Sequence, residues 1–258
     1  MTKDVFIKDI MAKPKTIAKS AKITEALDKM LDEGLDPLIA VNNNSVVGTV
    51  SRQAIAEKLG SKQNSDLSPA AIHVASVVEE NFTSVYPDEN INVLIPLLQH
   101  YKLVVVYDTD HKLIGQVSAG DLLKKYQPDN GIELAIEPVI TIEADERVVH
   151  LRRRMLDDHI NRFIVSENNK YAGIVTETDV AIAMRNFRES IRDQHQDHRI
   201  RNLLVKDIMS APLISIDRST GVSAAVDLML KKNISSVPVM DKGKLFGIIT
   251  RQSLINAM

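Results

Sequence analysis

The chain has 258 residues, a formal net charge of −2, 44% apolar residues and 26% charged residues, which is ordinary for a soluble globular protein of one or two domains. It contains no cysteine, which excludes disulfides, thiolate metal sites and a cysteine nucleophile. The charge gives no global reason to expect a nucleic-acid or membrane partner, and the sequence has neither a signal-peptide core nor a long apolar run. We therefore expect a soluble cytoplasmic protein.

Two short motifs recur along the chain. Lys8–Met11, with the sequence Lys-Asp-Ile-Met, is repeated at Lys206–Met209. The second, called the glycine motif below, is glycine, two residues that are mostly apolar, serine or threonine, two further residues, and aspartate in two of its copies. Its four copies begin at Gly48, Gly115, Gly173 and Gly247. Such self-similarity predicts repeated units, which we place at residues 6–60, 73–126, 135–187 and 204–258 and number one to four.

Each unit is predicted to have the element order β-α-β-β-α. A short β-rich piece comes first, as at Thr83–Tyr86 in unit two and Leu213–Ile216 in unit four. In unit four an amphipathic helix follows from Val222, and then the strand Val237–Met240, a polar turn at Asp241–Lys244 and a strand that ends in the glycine motif. One such unit cannot cover both faces of its sheet. We therefore expect an α/β (α+β) fold of four repeats arranged as two paired modules.

The segments between units differ in character. Gln127–Gly131 is rich in turn-forming residues and is the best boundary between two halves of the chain. Asn186–Asn202 is predicted to be a charged helical connector, and its basic stretch, Arg185–Arg201, is a candidate docking surface.

The glycine motif lies where a strand is predicted to run into a helix. Serine or threonine at that junction is a good helix N-cap, and an acid three residues later completes a capping-box-like arrangement. The same junction presents free backbone N–H groups, which suit a phosphate, and an ionised aspartate there can accept hydrogen bonds from two ribose hydroxyls. The motif alone is therefore compatible with a structural role or with a nucleotide site.

The fourfold pattern resembles CBS domains, named for cystathionine β-synthase, over nearly the whole chain. The resemblance rests on the Lys-Asp-Ile-Met motif, the strand Val237–Val239 and the glycine motif. It implies paired units with two clefts that bind AMP, ADP, ATP, S-adenosylmethionine or diadenosine polyphosphates. It also implies that the motif's serine or threonine meets phosphate, that its aspartate holds the ribose, and that the base lies against the strand two-thirds of the way through the unit.

Carried onto this sequence, the resemblance implies ligand sites in units two and three. The matching residues are Ser118, Asp121, Lys102 and Leu103 in unit two, and Thr176, Asp179, Asn161 and Arg162 in unit three. In units one and four, Ala54 and Ser253 occupy the aspartate position. Neither replaces a carboxylate on a ribose, so we expect these two clefts to bind nucleotide poorly or in a different way.

Units one and four share an arginine directly after the serine or threonine of the motif, at Arg52 and Arg251. Each arginine is interpreted either as a solvated side chain at a helix start or as a cation that reaches across the module to phosphates held by the partner unit. The second interpretation would favour a polyphosphate over AMP.

Other charged clusters are interpreted as structural. Arg152–Arg154 lies on the first helix of unit three, and such a run is usually a solvated face, with phosphate contact or partner docking as the alternatives. His195, Asp197 and His198 are interpreted as part of a wet connector, so no metal site is predicted. No phosphate loop, dinucleotide fingerprint, nucleophile elbow or zinc-protease motif is present. We therefore expect no catalytic activity and no catalytic cofactor.

The leading functional hypothesis is a regulatory, energy-sensing protein whose adenine-nucleotide ligand changes an interaction with an unidentified protein partner or within its own oligomer. The four units are expected to close into a disc within one chain or to pair as a homodimer. The alternative hypothesis is a structural or assembly factor that docks on RNA, a ribosome or a protein through Arg185–Arg201.

Overall fold

The computed structural model describes residues 5–60, 69–128, 131–190 and 202–258. Its strands, in chain order, are β1 (Thr16–Ala18), β2 (Leu38–Asn42), β3 (Ser45–Val50), β4 (Thr83–Val85), β5 (Leu103–Tyr107), β6 (Leu113–Ser118), β7 (Ile136–Glu137), β8 (Thr141–Glu143), β9 (Arg162–Glu167), β10 (Lys170–Thr176), β11 (Ile216–Asp217), β12 (Ser236–Asp241) and β13 (Lys244–Thr250). Its α-helices are α1 (Ile23–Glu33), α2 (Arg52–Gly60), α3 (Leu94–His100), α4 (Ala119–Leu123), α5 (Val148–Asp157), α6 (Glu177–Ser190), α7 (Val222–Lys231) and α8 (Arg251–Asn256).

The predicted order β-α-β-β-α is confirmed in all four units. In each unit the first strand pairs in parallel with the second, and the second pairs antiparallel with the third, as in the sheet β4-β5-β6. In unit four, α7 buries Ala225, Val226 and Met229 on one face, as the helical spacing predicts. The hairpin between β12 and β13 turns through Lys242 and Gly243, which both have positive φ.

The first strand of unit four lies later in the chain than the sequence predicts. It was predicted at Leu213–Ile216, but β11 covers Ile216 and Asp217. The reason is that the backbone N–H of Leu213 donates to the carbonyl of Ala172 in unit three, at 3.1 Å. The start of the predicted strand therefore bonds to a different unit, which the local pattern of apolar residues does not reveal.

Sequence-adjacent units exchange the segments that precede their first helices, called leading segments below. The leading segment of unit one pairs with β6 of unit two, where Ala12 N donates to Gln116 O at 2.9 Å. That of unit two pairs with β3 of unit one through Thr49 and Glu79. Units three and four repeat the exchange, with Ser210 against β10 and β7 against β13. The exchange joins units one and two, and units three and four, into two modules.

The repetition of the Lys-Asp-Ile-Met motif has a structural explanation in this exchange. Asp9 and Asp207 each cap a short 3₁₀ turn by accepting the backbone N–H three residues earlier, at 2.9 Å in both cases. Met11 Sδ and Met209 Sδ then lie against Gly115 and Gly173 in the neighbouring unit. The motif therefore orders the leading segment and packs it onto the neighbour's sheet.

The two modules meet through their helices and close a ring within one chain. Units two and four share one apolar core, in which Leu94 and Leu98 pack with Leu254 and Ile255. Units one and three meet where α1 and α2 face α6, and Arg185 of α6 pairs with Asp32 of α1 at 2.6 Å. The contacts within this one chain therefore have the arrangement expected of the intramolecular disc.

Candidate functional site

The glycine motif of unit two folds as a capping box at the start of α4. Ser118 ends β6, and its backbone N–H donates to Asp121 Oδ2 at 3.0 Å. The Ser118 hydroxyl donates to the same oxygen at 2.6 Å, and Lys124 Nζ lies 2.9 Å from Asp121 Oδ1. The Asp121 side chain is 13% exposed. Its carboxylate is therefore held in one orientation, with one oxygen in the cap and the other toward an exposed lysine.

The motif of unit three has the same geometry and one further contact. The Thr176 backbone N–H and hydroxyl donate to Asp179 Oδ2 at 2.7 and 2.6 Å. The other oxygen, Oδ1, accepts the hydroxyl of Ser210 at 2.9 Å. Ser210 belongs to the leading segment of unit four, so Asp179 faces the boundary between units three and four. Sequence reasoning missed Ser210, although it directly follows the second Lys-Asp-Ile-Met motif.

Units one and four keep the helix cap without the carboxylate. In unit four, Thr250 N donates to Ser253 Oγ at 2.9 Å, and Ser253 N donates to Thr250 Oγ1 at 2.8 Å. In unit one, Ser51 accepts the N–H of Ala54 at 3.1 Å, and alanine offers nothing in return. The cap therefore does not require aspartate at this position, and the carboxylates of units two and three are an addition to it.

The strand residues predicted to face the base lie beside these turns. Leu103 pairs with Ser118, and Arg162 pairs with Thr176. Lys102 and Asn161, one residue earlier in each unit, are exposed. The Leu103 side chain is only 4% exposed and packs with Ile39 and Val105 between the sheets of units one and two, so Leu103 has only its backbone to offer a ligand.

Arg162 is half-buried and only partly paired. Its Nε donates to Asn161 Oδ1 at 2.8 Å, while one terminal nitrogen is buried without a hydrogen-bond partner. Burial lowers the pKa of Arg162, and the nearby carboxylates of Glu137 and Glu177 act in the opposite direction. This cation therefore has unused hydrogen-bonding capacity beside the turn of unit three.

Arg251 lies against the turn of the unit across the helix boundary. A β-carbon at Gly120, between Ser118 and Asp121, would lie 2.9 Å from Arg251 Nη1. Arg251 Nη2 donates to the Met229 carbonyl at 3.4 Å, and its Nε is buried without a partner. Burial lowers the pKa of Arg251, whereas the charge of Asp121 raises it. The side chain is thus not simply solvated at a helix start.

Arg52 in unit one is held by its own unit. Asp36 Oδ1 accepts the Arg52 backbone N–H at 2.9 Å, and Asp36 Oδ2 lies 3.6 Å from Arg52 Nε. The two side chains are 15% and 14% exposed. Arg52 also lies near Glu177, the residue after Thr176 in unit three. Both motif arginines therefore approach a turn that carries aspartate, although Arg52 is already engaged by Asp36.

Glu177 is a half-buried residue at the centre of a charge cluster that sequence reasoning did not identify. Burial raises its pKa above the usual 4.5, and Asp36 and Glu57 raise it further, while Lys102 and Arg52 lower it. These groups come from units one, two and three. A glutamate in the middle of the motif gives no sign in the sequence that three units converge on it.

We expect Glu177→Gln to remove a pH-dependent loss of stability. Because the folded-state pKa of Glu177 is raised, folding favours its protonated form, and that contribution is lost as the pH rises through the folded pKa. The variant should therefore melt at a higher temperature than the parent at pH 7.5, with a difference that shrinks toward pH 4.5. Thermal unfolding followed by circular dichroism measures this. Glu167→Gln, at an exposed position, is the matched control, and equal pH profiles for parent and Glu177→Gln would contradict the assignment.

The arginine run on α5 corrects the prediction of a solvated face. Arg153 is 82% exposed and pairs with Asp157. Arg154 lies over the ring of Phe163, 4.8 Å from its centroid. Arg152 is half-buried, and burial lowers its pKa. The prediction of one solvated face was wrong because three consecutive helical residues point in three directions, about 100° apart.

Two further findings concern the described ranges alone. Within residues 5–60, 69–128, 131–190 and 202–258, no group of three or more metal-binding side chains is present. The helices of that part of the chain are too short or too polar to cross a membrane. The candidate cluster of His195, Asp197 and His198 lies outside the described residues, as does most of the predicted connector.

Comparison with known protein families identifies the same four repeated units. The fold is one of paired β-α-β-β-α units with strand-to-helix turns at their boundaries. A model of the CBS domain matches residues 7–61, 74–127, 132–186 and 205–258. The chain belongs to the CBS domain family, whose members are usually regulatory.

Relatives and a solved structure share the repeats. Uncharacterized protein MK0525 of Methanopyrus kandleri is 33% identical over 125 residues, which are 48% of this chain and 59% of the relative. Uncharacterized protein MJ1404 of Methanocaldococcus jannaschii is 21% identical over 98% of this chain and 60% of its own. The chain thus spans less than two thirds of both relatives. The crystal structure of MJ1225 from M. jannaschii, described as a candidate archaeal homologue of g-AMPK, superposes with a TM-score of 0.79 at 23% identity, covering 98% of this chain and 99% of that one.

Proposed function

We propose that this chain is a regulatory protein that binds an adenine nucleotide at the turns of units two and three. AMP, ADP, ATP and diadenosine polyphosphates are the candidate ligands, with S-adenosylmethionine as a further one. The observation that carries the proposal is the orientation of Asp179, whose Oδ1 already accepts a hydroxyl from Ser210 at 2.9 Å. A ribose hydroxyl offers the same hydrogen bond, and an ionised carboxylate makes such bonds strongly.

The surroundings of the two turns provide cations for phosphate. Lys124 lies beside Asp121, and Arg251 adds a partly unsatisfied guanidinium to the same turn. In unit three, Arg162 has a buried terminal nitrogen without a partner. The description of MJ1225 as a candidate g-AMPK homologue agrees with a role of this kind.

Regulation follows from the location of the turns at boundaries between units. Asp179 contacts unit four through Ser210, and Asp121 lies near Arg251 of unit four. A ligand at either turn replaces or adds contacts across such a boundary and so has different affinities for different arrangements of the units. That difference is the physical requirement for a ligand to shift a conformational equilibrium and to alter binding to a protein partner.

Calorimetry with AMP, ATP, S-adenosylmethionine and diadenosine tetraphosphate tests the proposal. We expect a dissociation constant below about 1 mM for at least one of them, at one or two sites per chain. Heats indistinguishable from dilution for all four ligands at millimolar concentration would contradict it and would favour the alternative of an assembly factor that docks on RNA, a ribosome or a protein.

Arg251→Ala tests whether Arg251 of unit four contacts the phosphates of a ligand that is bound at the turn of unit two. We expect the affinity for ATP or diadenosine tetraphosphate to fall by about five- to ten-fold, because a charge-assisted contact to the outer phosphates is lost. The affinity for AMP should change less. Lys231→Ala removes the same charge from an exposed position on α7 and is the control. Unchanged polyphosphate affinity in Arg251→Ala, measured by calorimetry, would remove this role. Arg52→Ala should have a smaller effect, because Asp36 engages that arginine.

A further inference from the structure

A cavity of about 110 Å³ lies between units one and three, where α1 and α2 face α5 and α6. It is separate from the carboxylates of the glycine motif, although Glu177 forms part of its wall. Most of its lining is apolar, with Leu27, Ile55, Met155, Leu156, Ile160 and Val180 as the main contributors. Its volume is well below the roughly 300 Å³ or more of a site for a nucleotide-sized ligand. The cavity therefore suits a small apolar molecule.

Arg152 is the charged group that distinguishes this cavity from ordinary helix packing. It lines the cavity together with Met155 and Leu156, which lie three and four residues further along the same face of α5, and with His159, which follows the end of that helix. Burial is the cause of its lowered pKa. Within the described part of the chain, Arg152 has neither an ion pair nor a hydrogen bond. A partly desolvated cation without a counter-charge is costly, and an anion in the cavity would remove that cost.

Two acidic residues, Glu57 and Glu177, also line the cavity, and each interacts with groups other than Arg152. Glu57 accepts a hydrogen bond from Gln53 Nε2 at 3.0 Å. Glu177 is influenced by Arg52, Lys102, Asp36 and Glu57, but not by Arg152. Conversely, no carboxylate contributes to the pKa shift of Arg152. The lining of the cavity thus combines apolar side chains, two carboxylates that interact with other groups, and two arginines, of which Arg52 is engaged by Asp36 and Arg152 has no carboxylate partner.

We propose that this cavity binds a small apolar monocarboxylate of about four to six carbon atoms, with its carboxylate on Arg152 and its hydrocarbon part among Met155, Leu156 and Ile160. The size follows from the volume, since an apolar cavity of about 150 Å³ accommodates benzene. A monoanion fits better than a phosphate dianion, because the apolar walls offer the second charge no partner. The inference goes beyond nucleotide binding, and it does not depend on it.

An occupant of this cavity would contact both modules, because α2 belongs to unit one and α5 to unit three. It would stabilise the boundary between them in proportion to its occupancy. The acid could belong to a simple short-chain or branched carboxylic acid, or to an apolar amino acid. Both carry the carboxylate that Arg152 would bind.

Titration of the full chain with 4-methylpentanoate, followed by calorimetry and by the melting temperature, tests the proposal without any nucleotide present. We expect a dissociation constant below about 1 mM and a melting temperature that rises with ligand concentration. The neutral isostere 4-methylpentanamide should bind at least ten-fold more weakly. L-leucine serves as the arm that distinguishes an amino acid from a simple acid as the source of the carboxylate.

Two variants make the result specific to the cavity. Arg152→Gln should weaken 4-methylpentanoate binding at least ten-fold, whereas Arg153→Gln, at an exposed position on the same helix, should leave it unchanged. Ala56→Leu keeps Arg152 but fills the cavity, and should also abolish binding while the variant still unfolds cooperatively. Equal affinity for acid and amide, unchanged affinity in Arg152→Gln, or no binding of 4-methylpentanoate or L-leucine at 10 mM (~100-fold above the roughly 0.1 mM expected of a ligand this size) would overturn the proposal. None of these outcomes bears on nucleotide binding at Asp121 or Asp179.

Discussion

Gly48→Ala is expected to lower the free energy of unfolding by about 3 kcal/mol or more. A β-carbon at Gly48 would lie 2.3 Å from the carbonyl oxygen of Glu79, which belongs to the leading segment of unit two. The atom in the way is backbone, so the crossing segments have to separate. Gly48 also has φ +148°, a conformation that alanine adopts only with strain. Steric overlap and backbone strain therefore act together at this position.

The other glycines of the chain provide a graded comparison. Gly173→Ala should be nearly as harmful, because its β-carbon would lie 2.5 Å from the Ser210 carbonyl oxygen. Gly115→Ala should cost less, since the nearest atom is the flexible Met11 Sδ at 2.8 Å. Gly221→Ala, where φ is −69° and a β-carbon meets open space, should change stability by less than about 1 kcal/mol. Urea denaturation gives all four values, and a Gly48 variant as stable as the Gly221 variant would contradict the described crossing.

Asp179→Ser and Asp121→Ser are expected to weaken nucleotide binding at least ten-fold while leaving the fold in place. Serine retains the cap, as Ser253 does for Thr250 at 2.9 and 2.8 Å in unit four. What it removes is the carboxylate, and a hydrogen bond to a charged group contributes about 1.5–3 kcal/mol, where 1.4 kcal/mol is a factor of ten. Made separately and measured by calorimetry, the two variants assign the sites through the loss of affinity or of stoichiometry.

The matched control for this pair is Ser253→Ala. It removes the buried Ser253 hydroxyl that accepts the Thr250 backbone N–H, leaves the N-cap bond from Ser253 N to Thr250 Oγ1 in place, and should lower the stability by about 1 kcal/mol. Nucleotide affinity should not change, because unit four has no carboxylate to lose. If Asp179→Ser and Asp121→Ser both bind nucleotide like the parent, the motif in units two and three has a capping role alone.

The local features of this protein could be predicted from its sequence because they depend on neighbouring residues. The helix α7 follows from apolar residues at helical spacing, and the hairpin after β12 follows from turn-forming residues at Lys242 and Gly243. The capping geometry of Ser118 with Asp121 and of Thr176 with Asp179 also follows from a spacing of three residues at a strand-to-helix junction. The assignment of these two turns as ligand sites remains a prediction.

Other features could not be predicted, because they depend on residues far apart in the chain. Leu213 bonds to Ala172 of another unit instead of starting β11. Ser210 reaches Asp179, and Arg251 reaches Gly120, across boundaries between units. The periodicity of a helix shows that a face is buried without showing what covers it, so the desolvation of Arg152 could not be distinguished from exposure.

By itself, the sequence determined the number of repeats, their common order of elements and the CBS family. Repeated motifs, helical periodicity and turn-forming residues can all be recognised in short stretches of the sequence. Only the tertiary structure decided that unit one packs on unit three and unit two on unit four, that leading segments are exchanged, and that Glu177 is surrounded by charges from three units. The physical reason is that four similar units present similar apolar faces. Which faces meet depends on the summed packing of the whole ring.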